Sequence, residues 1–404
     1  MSTHSDLLTI IEAGLNSVEG KGCVHNALRS RAELQGNIGI VAIGKAALSM
    51  AEGALAHFGK RVVSGLLISK EAVSAKSSLP SCIEQYVGGH PIPDQGSLDA
   101  GSALVRYLEN SPSDTSLVFL ISGGASALVE VLPEGVSLDQ LQQLNRWLLA
   151  SGLDIEKMNS IRQCVSRIKA GRLLASIRAT QVTSLLMSDV IDNNSAIIGS
   201  GLLTVSAQAE GVEGVPDWLR QLCANQPPRP EVSLVAVDQE VVADRAGALN
   251  AMSTAAKSCG VQVHCHSKAM AGDAILWADY IVDYLVEAPC GLHLWFGETT
   301  VRLLQTPGCG GRNSHLALAL AQRLYGKAGL TAVTIATDGD DGNSGYAGAM
   351  VHGATLSKMG VTRETAQKFL AAADSATLLK QVDALLSFAK GQSNVADFLL
   401  LLKQ

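Results

Sequence analysis

The sequence predicts a two-domain α/β protein whose first domain is a mainly parallel sheet with helices on both faces. Three observations point there. Short, continuously apolar runs alternate with helical stretches: "IGIVAIG" (Ile38–Gly44) precedes "KAALSMAEGALAHF", and "SLVFLIS" (Ser116–Ser122) precedes "GGASALVE". Strands buried on both faces read as such unbroken runs. The chain has 404 residues, more than one hydrophobic core usually spans. It is 47% hydrophobic but only 4% aromatic, which suits helices layered on sheets better than a β-sandwich.

In chain order, the N-terminal "MSTHSDLLTIIEAGL" reads as an amphipathic helix, not a signal peptide. "VVSGLLIS" (Val62–Ser69) and "VTSLLMS" (Val182–Ser188) supply two further strands. The proline-bearing "CANQPPRPEVS" (Cys223–Ser233) marks a linker, giving domains 1–228 and 229–404. The pattern then restarts. "VSLVAV" (Val232–Val237) reads as a strand and Asp238–Gly260 as a helix. "VQVHCHS" is a strand, and Asp273–Glu287 a helix. "LHLWFGETTVRLL" reads as two strands around a tight turn, and "AVTIATDGDDG" as a strand ending in an acidic glycine loop.

Charge and cysteine content exclude several classes. The net charge is −6 with no basic block, so nucleic acid is not an expected partner. No run approaches the ~18–20 apolar residues of a membrane span. Eight cysteines without C-x-x-C spacing suit reduced thiols, so a cytoplasmic protein is expected.

Ligands of open α/β sheets bind beyond the carboxyl ends of strands, and several polar clusters sit there. "GIVAIGKA" (Gly39–Ala46) nearly fits the phosphate-loop pattern. Its intervening residues form a strand, however, and Ala46 lacks the metal-binding hydroxyl. Lys45 nevertheless stands where a strand becomes a helix, a common phosphate position; a surface lysine is the plainer alternative. In "LISGGASAL", Gly123 and Gly124 allow close backbone approach and Ser122 and Ser126 add hydroxyls. That is an anion site or simply a serine-capped connection. "TPGCGGRNSHLALALA" (Thr306–Ala321) places Arg312 where a glycine turn opens a helix. Asp189 follows a strand, and Asp338, Asp340 and Asp341 share a glycine loop. Such carboxylates suit a divalent cation or a proton acceptor, or else capping and Asx turns. His264 and His266 share one strand face, with no third ligand spaced to complete a metal site. Asp94 in "GGHPIPDQGS" is a helix cap, and His90 beside it either lines a site or, on the plainer reading, serves the turn. Neither a dinucleotide G-x-G-x-x-G fingerprint nor a G-x-S-x-G elbow is present.

Taken together and in order, these segments resemble the glycerate 2-kinase family with a C-terminal MOFRL domain. The resemblance rests on "AIGKAALSM", "GGHPIPDQGS", "LISGGASAL", "MNSIRQCVSRIKAGRLL", "LLMSDVI…IIGSG", "GETTVRLL…GCGGRNSHLALALA", "TDGDDGNSGYAGA" and "SNVADFLLLL". It implies a Rossmann-like N-terminal domain, a smaller MOFRL-type α/β domain, and an active-site cleft between them. It further implies transfer of phosphate from ATP to the 2-hydroxyl of D-glycerate with Mg²⁺ or another divalent cation. A homodimer is among the assemblies it allows. Carried over by motif, Lys45, Arg312 and Asp189 are the expected catalytic residues. Ser122, Gly123, Gly124, Ser126, Lys169, Glu298, Gly310, Gly311, Asn313 and Asp338 are the expected nucleotide or substrate contacts. Asp189, Asp338 and Asp341 are the expected metal ligands.

Departures from the family pattern are Gln163 and Cys164, Asn193, Ser314 and His315, and Asn343 to Tyr346. They leave two other readings: a non-catalytic or altered-specificity paralogue holding a phosphorylated ligand, and a hydroxypyruvate reductase, a label the family has carried. The missing nicotinamide fingerprint speaks against the last.

Overall fold

A computed structural model describes residues 4–73, 79–153, 155–206, 214–224, 226–228 and 235–404, without the side chains of residues 155 and 156. The chain divides into two compact units, Glu19–Asp244 and a second made of Arg245–Gln404 together with the N-terminal segment to Val18.

The Glu19–Asp244 unit is built on six strands: β1 (Ile38–Ile43), β2 (Val62–Ser69), β3 (Ile83–Val87), β4 (Ser116–Ile121), β5 (Val182–Met187) and β6 (Val237–Ala243). Their order is β3-β2-β1-β4-β5-β6, and every neighbouring pair is parallel. All residues of β1, β4 and β5 are buried. Successive side chains point to opposite faces, so both faces of the sheet centre are covered. That is why these strands read as unbroken apolar runs. The helix Gln95–Asn110 starts at Asp94 as expected. Its carboxylate accepts from Ser97 N at 3.1 Å, and Asp94 N donates back to Ser97 Oγ at 3.2 Å. Such a reciprocal cap is worth about 1 kcal/mol.

The other unit carries seven strands: β7 (Val263–Cys265), β8 (Met270–Asp273), β9 (Gly291–Thr300), β10 (Leu330–Ala336), β11 (Gly348–His352), β12 (Leu385–Leu386) and β13 (Asp397–Lys403). The order is β12-β11-β10-β13-β9-β7, with β8 also on β9. Only β7 and β8 run parallel to their neighbour; the rest is antiparallel. The apolar helix Arg312–Leu324 packs against this sheet, with Leu316 through Ala321 all buried. The N-terminal helix His4–Ser17 lies against helix Arg245–Ser258. A Cβ at Gly14 would stand 2.3 Å from Met252 Cε.

Two expected elements differ. Asp238–Gly260 is not one helix: its first part belongs to β6, and helix Arg245–Ser258 follows. β6 is an edge strand, so its charged residues stay at the surface. Asp238 and Glu240, two residues apart on one face, both pair with Arg31. Half of the strand expected at Val232–Val237, residues 232–234, lies outside the described residues, as do residue 225 and residues 229–233 of the proline-rich stretch. "LHLWFGETTVRLL" holds no tight turn, since Gly291–Thr300 is a single ten-residue strand. Gly297 (φ 130°) serves the close approach of β8 instead. A Cβ there would lie 2.2 Å from Met270 O.

The strand histidines acquire a third member that the local sequence did not reveal. His293 of β9 stacks on His264 at 4.6 Å, and its Nδ1 lies 3.2 Å from His266 Nε2. Burial, then His293 and His264, push the His266 pKa down to about 4. The folded protein therefore holds a neutral imidazole that the unfolded chain, with its pKa near ~6.5, would protonate. The resulting stability is fully present above that value and is lost as pH falls toward about 4. The wild type is expected to lose about 1 kcal/mol more than His266→Gln between neutral pH and the lower end of that window, allowing for solvent screening. Urea midpoints measured across the window check this. Equal slopes for both proteins would refute it.

Candidate active site

In a sheet of order β3-β2-β1-β4-β5-β6 the connections leave in opposite directions at β1 and β4. The crevice beyond their carboxyl ends is the usual ligand position. Both glycine turns of this unit stand there. Gly44 (φ 131°) brings the end of β1 so close to β4 that a Cβ would lie 2.1 Å from Ser122 Oγ. The two turns are stitched together. Lys45 N donates to Gly123 O at 3.0 Å, Ala46 N to Ser122 Oγ at 3.0 Å, and Ser122 N to Ile43 O at 3.0 Å. The backbone amides of Lys45 and Ala46 are therefore committed to this junction.

The turn after β4 is different. Ala125 N closes it onto Ser122 O at 3.4 Å with Gly124 in the left-handed region (φ 87°). The amides of Gly123 and Gly124 have no acceptor among the described residues. Gly124 has no room for a side chain. A Cβ there would stand 3.2 Å from both Lys45 Cγ and His90 Cδ2. The side chains of Lys45 and His90 thus both reach this turn, which places His90 beside the glycine turn as the first of its two sequence readings expected. The helix that follows, Ala125–Leu128, is only four residues long, so the anion-binding capacity comes from the turn.

Behind this turn lies a buried polar network. Ser126 Oγ meets Ser200 Oγ at 2.7 Å, and Ser200 Oγ donates to Asn159 Oδ1 at 3.0 Å. Ser200 is fully buried at φ 59°, between Gly199 (φ 57°) and Gly201 (φ 70°). A serine held there is a strained residue fixed by its surroundings. Gln163 Nε2 donates to Ser200 O at 3.2 Å. Lys169, expected as a ligand contact, is 1% exposed and ion-paired with Glu130, whose other oxygen accepts from Ser166 Oγ at 2.5 Å. Asp189 is exposed just past β5, and Asn193 is tied to Asp244 at 2.6 Å. At the opposite, amino end of the strands a cavity of about 470 Å³ opens, lined by Leu28, Arg31, Phe58, Val182 and Val237 among others. It lies away from all of these residues.

In the other unit, nearly every donor of the glycine turn expected to meet an anion is committed internally. Cys309 N donates to Asp374 Oδ1 at 2.8 Å, Gly310 N to Asn343 Oδ1 at 2.7 Å, and Gly311 N to Ser314 Oγ at 2.9 Å. The amides of Asn313 and Ser314 donate to the two oxygens of Asp341 at 2.8 Å each. The anion at this helix start is thus the protein's own Asp341, 1% exposed. Burial raises its pKa, and its bonds from Ser314 and Asn313 oppose that rise. With both oxygens committed it does not suit a metal ligand. Among the described residues, no group of three or more His, Cys, Asp or Glu side chains is arranged to hold a metal ion. The departures from the family pattern do structural work here: Asn343 also donates to Gly308 O at 3.2 Å, and Ser314 closes the helix start. His315 is buried, and its Nδ1 has no partner among the described residues.

Arg312 is the side chain that remains outward. Asp397 grips one edge of its guanidinium, with Nε at 2.5 Å and NH2 at 3.0 Å. NH1 meets the exposed Glu298 at 2.9 Å. Asn313 Nδ2 also holds Asp397 at 2.9 Å. Burial disfavours the charged guanidinium, but Asp397 and Glu298 outweigh it and raise its pKa. Burial pushes the Asp397 carboxyl up to about 6, against the pull of Arg312. A two-point carboxylate grip fixes a guanidinium plane as a single contact cannot. Local sequence did not single out Asp397. Its only signal is an acidic residue opening the apolar run "DFLLLLK".

A doubly wound parallel sheet with a glycine turn at its switch point, joined to an antiparallel unit with a clamped arginine, is the architecture of a small-molecule kinase with known relatives. Residues 6–221 match a domain of unknown function, DUF4147, and residues 291–397 match the MOFRL family. The chain is 29% identical over 377 residues to D-glycerate 2-kinase of Thermotoga maritima, covering 89% of each. It is 30% identical over 419 residues to a putative hydroxypyruvate reductase of Agrobacterium vitis, covering 98% of this chain and 94% of that one. A crystal structure of glycerate kinase from Thermotoga maritima superposes with a TM-score of 0.82 at 26% identity, covering 99% of both chains. The chain belongs to the glycerate 2-kinase family, in which DUF4147 is paired with MOFRL. Among the described residues no helix is long and apolar enough to cross a membrane.

Proposed function

We propose that the protein is an ATP-dependent D-glycerate 2-kinase that forms 2-phosphoglycerate. The observation that carries this reading is the turn after β4, where the amides of Gly123 and Gly124 have no acceptor among the described residues and Gly124 lies against the Lys45 side chain. Phosphoryl transfer needs mainly positioning and charge neutralisation, which fixed amides and a cation supply. Arg312, oriented by Asp397, is the second proposed catalytic cation. The kinases among the relatives support glycerate as acceptor. ATP would bring a divalent ion on its phosphates, for which such enzymes use only one or two carboxylates. Asp189 fits that role in the Glu19–Asp244 unit by its exposure beyond β5, and Asp338 is the remaining candidate of the acidic loop. Domain boundaries near residue 228 and a homodimer remain part of this proposal.

The test is ADP release with D-glycerate and Mg-ATP, with an enolase-coupled assay reporting the 2-phosphate. Lys45→Met is expected to lower turnover by about 10²–10³-fold with the unfolding midpoint nearly unchanged, because Lys45 is not a core residue. Absence of ADP release across a panel of small hydroxy acids would sink the kinase reading.

A further inference from the structure

We propose that Arg162 binds the carboxylate of the acid substrate, a role that rests on the glycerate-kinase reading above. Arg162 lies on helix Ile155–Cys164, partly buried. Its Nε meets Asn145 Oδ1 at 3.3 Å and its NH1 meets Asn159 Oδ1 at 3.4 Å. Both distances are long for a charged donor, both acceptors are neutral, and NH2 has no acceptor among the described residues. No carboxylate lies within ion-pair distance of it among those residues. The nearby Glu130 is committed to Lys169, whose own ammonium is close enough to feel the Arg162 charge.

Arg172, a few residues on, shows what a structural guanidinium looks like in this unit. All three of its nitrogens donate to backbone carbonyls, at 3.1 Å to Pro227 and Pro228, 2.8 Å to Gln163, and 2.7 Å to Pro227 again. Arg162 has no such set. Its open edge is not among the fully enclosed polar atoms, so it is accessible to an anion that the neutral amides of Asn145 and Asn159 cannot replace as a counter-ion.

The position of Arg162 says which anion. Asn159, its partner, is held by Ser200, and Ser200 by Ser126 of the turn after β4. The guanidinium is therefore linked through three side-chain contacts to Ser126, two residues beyond Gly124 of the turn proposed to hold the phosphoryl group. A 2-hydroxy acid carries its carboxylate on the carbon that bears the reacting hydroxyl. Its recognition needs two neighbouring anion sites, one for the phosphoryl group and one for the carboxylate. The strained Ser200 sets the spacing between them, and the planar fork of an arginine matches a carboxylate.

Arg162→Gln and Arg162→Lys test this through steady-state kinetics, calorimetric binding of D-glycerate and of its neutral amide, glyceramide, and thermal unfolding. In Arg162→Gln, KM and Kd for D-glycerate should rise about 30–100-fold. KM for ATP should change less than about threefold, glyceramide binding should be unaffected, and the Tm should hold or increase because the lost charge had no counter-ion. Arg162→Lys should recover part of the affinity. Unchanged D-glycerate binding in Arg162→Gln overturns the proposal, as does a rise confined to KM for ATP. A wild type that binds D-glycerate without turnover refutes the kinase reading alone, and calorimetry then decides the role of Arg162. A wild type that neither binds nor turns over D-glycerate overturns both.

Discussion

Arg312→Ala should cost about 3–5 kcal/mol of stability, because it strands a buried carboxylate. Asp397 is 3% exposed and, among the described residues, would keep only Asn313 as a side-chain partner. The same substitution should lower turnover by about 10³-fold or more if the guanidinium meets the transferring group. Arg312→Lys separates the two effects. It keeps the charge, so much of the stability should return, but it cannot reproduce the two-point grip of Nε and NH2 on Asp397, so activity should stay low. Asp397→Asn removes the orienting charge while leaving the guanidinium, and its effect should not add to that of Arg312→Ala, since the two residues share one contact. Urea unfolding reads the first effect and ADP release the second. An Arg312→Ala protein within about 1 kcal/mol of wild type would mean that the Asp397 pair is not formed as described.

Lys169→Met should be the other severe substitution, for a different reason. The ammonium and the Glu130 carboxylate are 1% and 2% exposed, and each is the other's counter-ion. Removing one leaves an uncompensated interior charge, at about 3–5 kcal/mol. Replacing both, as Glu130→Gln with Lys169→Met, should recover most of that loss, because paired desolvation disappears with the pair. The order of urea midpoints is then wild type, double variant close behind, single variant well below. A single variant as stable as the double would show that the ion pair contributes little. A loss of D-glycerate affinity in the folded double variant would instead support the ligand contact that the family resemblance implies for Lys169.

Parts of this were legible in the chain because they depend on neighbours in sequence. β1, β4 and β5 read as largely apolar runs since the sheet centre is covered on both faces, and β2 does so over its buried second half. Asp94 read as a cap because capping is settled within four residues. β6 did not, since an edge strand keeps its charges and its run passes directly into the helix that follows. Gly297 read as a turn because a glycine required by another strand looks locally like any other.

The sequence by itself determined the class of the first sheet, the glycine turns after β1 and β4, and the identities of Lys45 and Arg312 as cations beside them. Only the tertiary structure decided which donors remain to act. It tied the amides around Lys45 to the turn after β4, and it filled the helix start at Arg312 with Asp341, which lies 28 positions beyond Asn313 and 27 beyond Ser314. It also brought Asp397 to Arg312 across 85 positions of chain and Glu130 to Lys169 across 39. Whether a buried charge or amide is satisfied depends on atoms a few ångströms away in space, and a pattern of residue types along the chain carries no record of that distance.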